Sequence, residues 1–177
     1  MLTDTKKIVI STLGPAGTCS EYTAQYYLDI KGVKGDIELY STFEEAIEKL
    51  KKSESDIAIV PSAYQNFAKL LFDNRDSIKI TYTFIYNTPK MVIASKILDP
   101  PVIRKIATHP APSSMIKLFN AEAEVIFAES NSKAALMAAG GEVDACMTNF
   151  ICVQEYGLNV LKDFGSVSMS WNVFERI

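Results

Sequence analysis

Short apolar runs set apart by helix-patterned stretches constrain this chain more than any other feature. Ile8-Val9-Ile10, Ile37-Glu38-Leu39-Tyr40 and Ile57-Ala58-Ile59-Val60 have the length and side chains of strands. Between the first two, Tyr22 to Leu28 reads as a helix. Between the second and third, Phe43, Ala46, Ile47 and Leu50 fall on one face of another. Ser41 or Thr42 can cap that second helix, whose glutamates come early and lysines late, matching the helix dipole. The run 57–60 is apolar at every position, as in a strand covered on both faces, and Pro61 ends it. Strands joined by helices over short links make βαβ crossovers, so the expected fold class is α/β.

The pattern changes after Pro61 and then resumes. A less regular stretch leads to the alternating run Ser77 to Tyr86, long enough to pass from one lobe to another, and Asn87-Thr88-Pro89 interrupts it. Strands are expected at 91–94, 103–107, 124–127, 144–147 and 158–161, with helices at 112–119, 131–139 and 150–156; Gly140-Gly141 and Gly157 stop the last two. Two strand–helix series joined by one long strand predict two lobes. The first is expected over about 1–84 plus 163–177 and the second over about 85–162, with a ligand cleft between them and the tail from Ser166 returning to the first lobe. No internal sequence repeat is visible.

One loop carries a chemical signal. Leu13-Gly14-Pro15-Ala16-Gly17-Thr18-Cys19-Ser20-Glu21 bends from the first strand into the first helix, where unpaired N–H groups can hold an anion. Thr18 or Ser20 can serve as N-cap, and Thr18 and Glu21 have capping-box spacing. The spacing is neither GxGxxG nor GK[ST], so no nucleotide is implied. A net charge of −3 excludes a nucleic-acid footprint. No run approaches the ~18 apolar residues of a membrane span, and the start lacks a signal-peptide apolar region, so a cytoplasmic protein is expected. Cys19, Cys146 and Cys152 form no metal or disulfide pattern, and with His109 the only histidine no metal site is expected.

The loop together with later segments resembles the prephenate dehydratase family. The matching pieces are Leu13-Gly14-Pro15-x-Gly17-Thr18-x-Ser20-Glu21, Ile59-Val60-Pro61, Thr108-His109-Pro110, Ser130-Asn131-Ser132-x-Ala134-Ala135 and Tyr156-Gly157-Leu158-Asn159-Val160-Leu161. They lie in order over nearly the whole chain. The resemblance implies a single catalytic domain with a two-lobed, periplasmic-binding-protein-like (type II) fold, a cleft between the lobes and no cofactor. It does not extend to the regulatory ACT domain that many members carry.

Two departures stand where the family chemistry is decided. Pro61-Ser62-Ala63-Tyr64-Gln65 replaces the dehydratase Pro-Ile-Glu-Asn-Ser, and Asn172-Val173-Phe174 replaces Thr-Arg-Phe. These substitutes are similar to the prephenate decarboxylases, that of the bacilysin pathway above all, as are Thr88-Pro89, Thr148-Asn149 and the ending Met169-Ser170-Trp171. The resemblance therefore implies decarboxylation of prephenate to dihydro-4-hydroxyphenylpyruvate, with the hydroxyl kept and a ring carbon protonated, in antibiotic or secondary-metabolite biosynthesis. Tyr64 is the expected proton donor and Asn172 the residue that withholds help from the departing hydroxyl. Thr18 and Ser20 would take one substrate carboxylate, and Ser130, Asn131 and Ser132 the other. Thr88, Thr148, Asn149, Trp171 and Phe174 would complete the substrate's surroundings. A dehydratase with a diverged tail and a non-catalytic carboxylate-binding module are the alternatives. The partner expected is the small-molecule substrate alone, and monomer and homodimer are both left open.

Overall fold

A computed structural model of the protein describes residues 7–177; residues 1–6, part of the stretch read as carrying no signal segment, lie outside the described residues. Two compact units divide the chain. The first contains the described residues up to Asn87 together with Ser168–Ile177, and the second is Thr88–Val167.

In the first unit, β1 (Ile8–Leu13), α1 (Cys19–Lys31), β2 (Gly35–Tyr40), α2 (Phe43–Lys51) and β3 (Ile57–Pro61) follow one another, with β1 parallel to both β2 and β3. α3 (Phe67–Asp73) and β4 (Ile78–Ile85) come next, and β10 (Ser170–Arg176) pairs antiparallel with both β3 and β4, giving the order β2-β1-β3-β10-β4. β3 is buried at every residue because both sheet faces are covered. Ile57 and Ile59 pack with Ile10, Ala24, Leu28, Trp171 and Val173 beneath α1. Ala58 and Val60 pack on the other face with Phe43, Ile47, Leu50, Leu70 and Phe174.

The second unit has the same plan with different insertions. Its elements are β5 (Met91–Ser95), β6 (Lys105–Thr108), a 3-10 turn (Ser113–Leu118), β7 (Glu124–Phe127), α4 (Asn131–Gly140), β8 (Ala145–Asn149), α5 (Phe150–Tyr156) and β9 (Asn159–Asp163). The sheet order is β7-β6-β8-β5-β9, with β6 parallel to β7 and β8, and β5 antiparallel to β8 and β9.

Several expectations need correction. The segment 112–119 is a 3-10 turn and not an α-helix; it opens directly after Pro110 and Pro112, and its N-cap makes no side-chain hydrogen bond. α3 arises in the stretch read as irregular. β4 stops at Ile85 and belongs wholly to the first unit's sheet. The unit boundaries fall at Asn87/Thr88 and Val167/Ser168 rather than 84/85 and 162/163. The cause is backbone pairing beyond the strands: Tyr86 N–H donates to Met169 O in the first unit, while Thr88 N–H to Val167 O and Phe164 N–H to Met91 O extend the second. The tail does join the first unit, as β10 within its sheet.

Candidate active site

In both sheets the loops that begin helices leave the C-terminal ends of parallel strands, the edge where α/β folds place ligands. In the first unit this edge holds the loop after Leu13, the residues after Pro61 and the start of β10, since Trp171 lies opposite Pro61 and Asn172 opposite Val60.

The Gly14–Thr18 loop is already occupied by the chain's own chemistry. Thr18 is the N-cap of α1, its Oγ1 accepting from Glu21 N–H at 3.4 Å and donating to Leu13 O at 3.2 Å. The Glu21 carboxylate turns back to accept from Gly17 N–H at 2.6 Å. Gly17 has φ +81°, a conformation that suits a residue without Cβ and turns its N–H toward the helix start. The anion-holding geometry expected of this loop is present, and the anion in it is Glu21. Ser20 is buried in the first turn. Cys19 is a half-buried thiol whose pKa desolvation pushes up to about 11, so helix-start thiolate chemistry is not set up here.

β10 carries the more informative arrangement. Successive strand residues point to opposite faces, so Ser170 and Asn172 share one and Trp171 and Val173 the other. Asn172 is 5% exposed, and both ends of its amide are paired. Nδ2 donates to Val60 O at 3.3 Å and to Ser62 Oγ at 2.9 Å, and Oδ1 accepts from Thr83 Oγ1 at 3.0 Å. Ser170 Oγ donates to the same Ser62 Oγ at 2.9 Å. Val173 is wholly buried in the cluster beneath α1.

Tyr64 follows β3 and lies over the Phe43 ring, with centroids 4.8 Å apart. Its hydroxyl donates to Glu44 Oε1 at 2.7 Å and accepts from Asn66 Nδ2 at 3.5 Å. Burial, followed by the hydrogen bond to Glu44, raises its pKa, so the phenol keeps its proton. Trp171 and Phe174, expected to touch substrate, are core residues in this structure. Trp171 is buried with its Nε1–H on Tyr86 O at 3.3 Å, and the Phe174 ring packs 6.1 Å from that of Phe67.

In the second unit the expected residues gather at the start of α4. Ser130 is its N-cap, accepting from Lys133 N–H at 3.0 Å. Thr148 Oγ1, at the end of β8, donates to Asn131 O at 2.9 Å, and Ser132 Oγ is 2.8 Å from Tyr156 Oη. No acidic residue lies in the first turn of α4. Asn131 Oδ1 is buried and is the one such side-chain oxygen or nitrogen without a hydrogen-bond partner among the described residues. Asn149 is taken up in capping α5 through Cys152 N–H at 3.0 Å, and Thr88 Oγ1 accepts from Val167 N–H at 2.9 Å. His109 is held neutral by burial, and its Nδ1 accepts from Ala111 N–H at 3.3 Å, a loop-shaping role.

The structure thus brings Ser130, Asn131, Ser132 and Thr148 together, and ties Asn172 to Thr83 and to Ser62, whose hydroxyl also accepts from Ser170. Sequence reading missed the last three, and Glu44 behind Tyr64. Their one signal was the period-two placement of Ser170 and Asn172, visible only once 170–176 is read as a strand.

The sequence model of the family described as PDT, Prephenate dehydratase, matches residues 10–164. A Bacillus subtilis protein named prephenate decarboxylase is 35% identical over 97% of this chain and 88% of its own length. Among solved structures, prephenate dehydratase from Arthrobacter aurescens in complex with L-Phe aligns with a TM-score of 0.70 at 18% identity, covering 96% of this chain and 61% of that one. A periplasmic substrate-binding protein of an ABC transporter from Coxiella burnetii aligns with a TM-score of 0.61 at 16% identity, over 96% of this chain and 84% of that one. The α/β fold is therefore of the periplasmic-binding-protein type. Among the described residues no helix is long and apolar enough to cross a membrane.

Proposed function

Because the chain belongs to the prephenate dehydratase family, we propose that it is a lyase that decarboxylates prephenate without aromatising the ring, giving dihydro-4-hydroxyphenylpyruvate. Loss of CO2 breaks the bond from the carboxyl to the quaternary ring carbon and leaves that electron pair spread over the two ring alkenes. If the ring hydroxyl is protonated, the pair expels it as water and the ring becomes aromatic. If the hydroxyl is kept, a ring carbon must take the proton instead.

The observation that carries the reading is the surroundings of Asn172. A carboxamide has no proton acidic enough to assist a departing hydroxyl, and both ends of this one are tied to Val60, Ser62 and Thr83. The neighbouring position, arginine in the dehydratase signature, is Val173, wholly buried. The polar chemistry that promotes aromatisation is thereby withdrawn from β10, a device that disfavours the competing product.

Tyr64 is the proton source in this proposal. Its raised pKa keeps the phenol protonated, and the hydroxyl, which donates to Glu44 Oε1 at 2.7 Å in this structure, turns from Glu44 to the ring carbon to deliver its proton. The cost to proton delivery is small, because a ring carbanion is far more basic than any phenolate. The start of α4 takes a substrate carboxylate, with N–H groups that face no acid of their own turn. The setting in this proposal is cytoplasmic secondary metabolism.

The test is prephenate turnover at neutral pH in D2O followed by NMR. A non-aromatic keto acid carrying ring deuterium is expected. Phenylpyruvate as the enzyme-dependent product would instead establish the dehydratase reading, which the family model's own description favours. Asn172→Thr is expected to raise the aromatic share.

A further inference from the structure

We propose that Ser62 is a substrate-contacting hydrogen-bond donor, its direction imposed by the Asn172 amide; this rests on the prephenate reading above. Donor and acceptor capacity sets the directions of these hydrogen bonds. Val60 O is a backbone carbonyl and can only accept, so the Asn172 group facing it at 3.3 Å must be Nδ2. The amide cannot flip without setting Oδ1 against that carbonyl, and Thr83 Oγ1 holds Oδ1 from the other side at 3.0 Å. With the amide fixed, Nδ2 also donates to Ser62 Oγ at 2.9 Å, which must accept. Ser170 Oγ donates to the same oxygen at 2.9 Å.

A serine hydroxyl has two lone pairs and one proton. Both lone pairs of Ser62 are filled from within β10, and its proton has no acceptor among the described residues. Ser62 is itself exposed, unlike Val60 and Pro61 before it, so the proton points away from the sheet. Its backbone is anchored as well, Ser62 N–H donating to Ser170 O at 3.0 Å. The result is a fixed O–H, polarised by two incoming hydrogen bonds and presented at the C-terminal end of β3. What it can bind is an oxygen with a free lone pair, such as that of a carboxylate, a ketone or the retained ring hydroxyl of the substrate. Donation to that hydroxyl's oxygen would hold it without transferring a proton, since an alcohol is too weak an acid to expel it.

The experiment compares Ser62→Ala, Ser62→Thr and wild type for prephenate consumption, with thermal midpoints measured in parallel. Ser62→Ala is expected to lower kcat/KM about tenfold, the loss carried by a hydrogen bond to a charged or strongly polar group. Ser62→Thr, which keeps the hydroxyl, should restore most of it, with all midpoints within about 2 °C. Activity of Ser62→Ala within twofold of wild type overturns the proposal. Equal losses in both variants together with lowered midpoints also overturn it, because the role is then structural. If wild type fails to consume prephenate, it is the functional reading that fails; if wild type consumes it and Ser62→Ala matches it, only the Ser62 assignment fails.

Discussion

The two units share a strand order but treat their helix starts in opposite ways. In the first, the leading turns are closed by the protein's own glutamates. Glu21 accepts from Gly17 N–H at the start of α1, and Glu45 accepts from Ser41 N–H and Oγ at the start of α2. In the second, α4 begins with Ser130-Asn131-Ser132, no acid lies in its first turn, and Asn131 Oδ1 is left unpaired. The same scaffold position, the helix leading into the central strand, is self-neutralised in one unit and open in the other. The lesson is a division of labour. The first unit spends its polar groups on fixing orientation, above all of the Asn172 amide, and the second leaves the start of α4 without an acid of its own.

That contrast can be broken at several points. The largest effect is expected from Val173→Arg. Restoring the family's arginine would place a cation among Ile10, Ile57, Ile59 and Trp171, and should destabilise the protein by about 3 kcal/mol or more, read as a shifted urea midpoint. A stable Val173→Arg protein would show that the first unit's interior is not fixed as described. Next comes Asn131→Asp, which supplies the acid that α4 lacks. The helix dipole tolerates it, yet a substrate carboxylate is repelled, so KM for prephenate should rise tenfold or more with the thermal midpoint held. An unchanged KM removes α4 from the binding site.

Glu21→Gln performs the reverse operation on α1. Losing a carboxylate from a helix start costs about 0.3–1 kcal/mol of stability, and the same interaction becomes free for substrate. KM is expected to fall about two- to fivefold if α1 then takes up a substrate carboxylate. An unchanged KM confines the first unit to orienting roles. The smallest effect concerns acid stability in the second unit, where Asp144 accepts from Arg104 N–H and Lys105 N–H at 2.8 Å each. Those bonds hold its pKa below the ordinary carboxylate range. Its contribution is therefore complete above the unfolded pKa and is lost as pH falls through the folded one. Because the side chain is exposed, Asp144→Asn should lower the melting temperature only slightly at pH 7, and that difference should shrink as the pH falls below the ordinary carboxylate range.

Much of this could be read from residue order because the governing interactions are local. The cap, acidic first turn and apolar face of α2 all lie within ten residues, and Thr42 does accept from Glu45 N–H. The run 57–60 declared a strand covered on both sides. α3 escaped because it is short and lacks a side-chain cap, leaving little beyond a weak pattern. The residues proposed around Asn172 were illegible for a different reason. Thr83 and Ser62 lie 89 and 110 positions away, joined to it by pairing across three strands. The closure of the Gly17 loop by Glu21 was within local range, but capping-box spacing alone does not say which N–H the carboxylate takes.

The placement of β10 also sets an order of assembly. Residues 88–167 are contiguous, so the second unit can acquire its whole sheet as soon as it has left the ribosome. The first unit cannot, because β10 sits between β3 and β4 and leaves the ribosome about 85 residues after β4. Until then β3 and β4 have no partner between them, and the wholly apolar β3 is an unpaired edge that could recruit another chain. A nascent or prematurely ended protein would thus carry a finished second unit beside an incomplete first one, and aggregation should track the absence of residues 170–176.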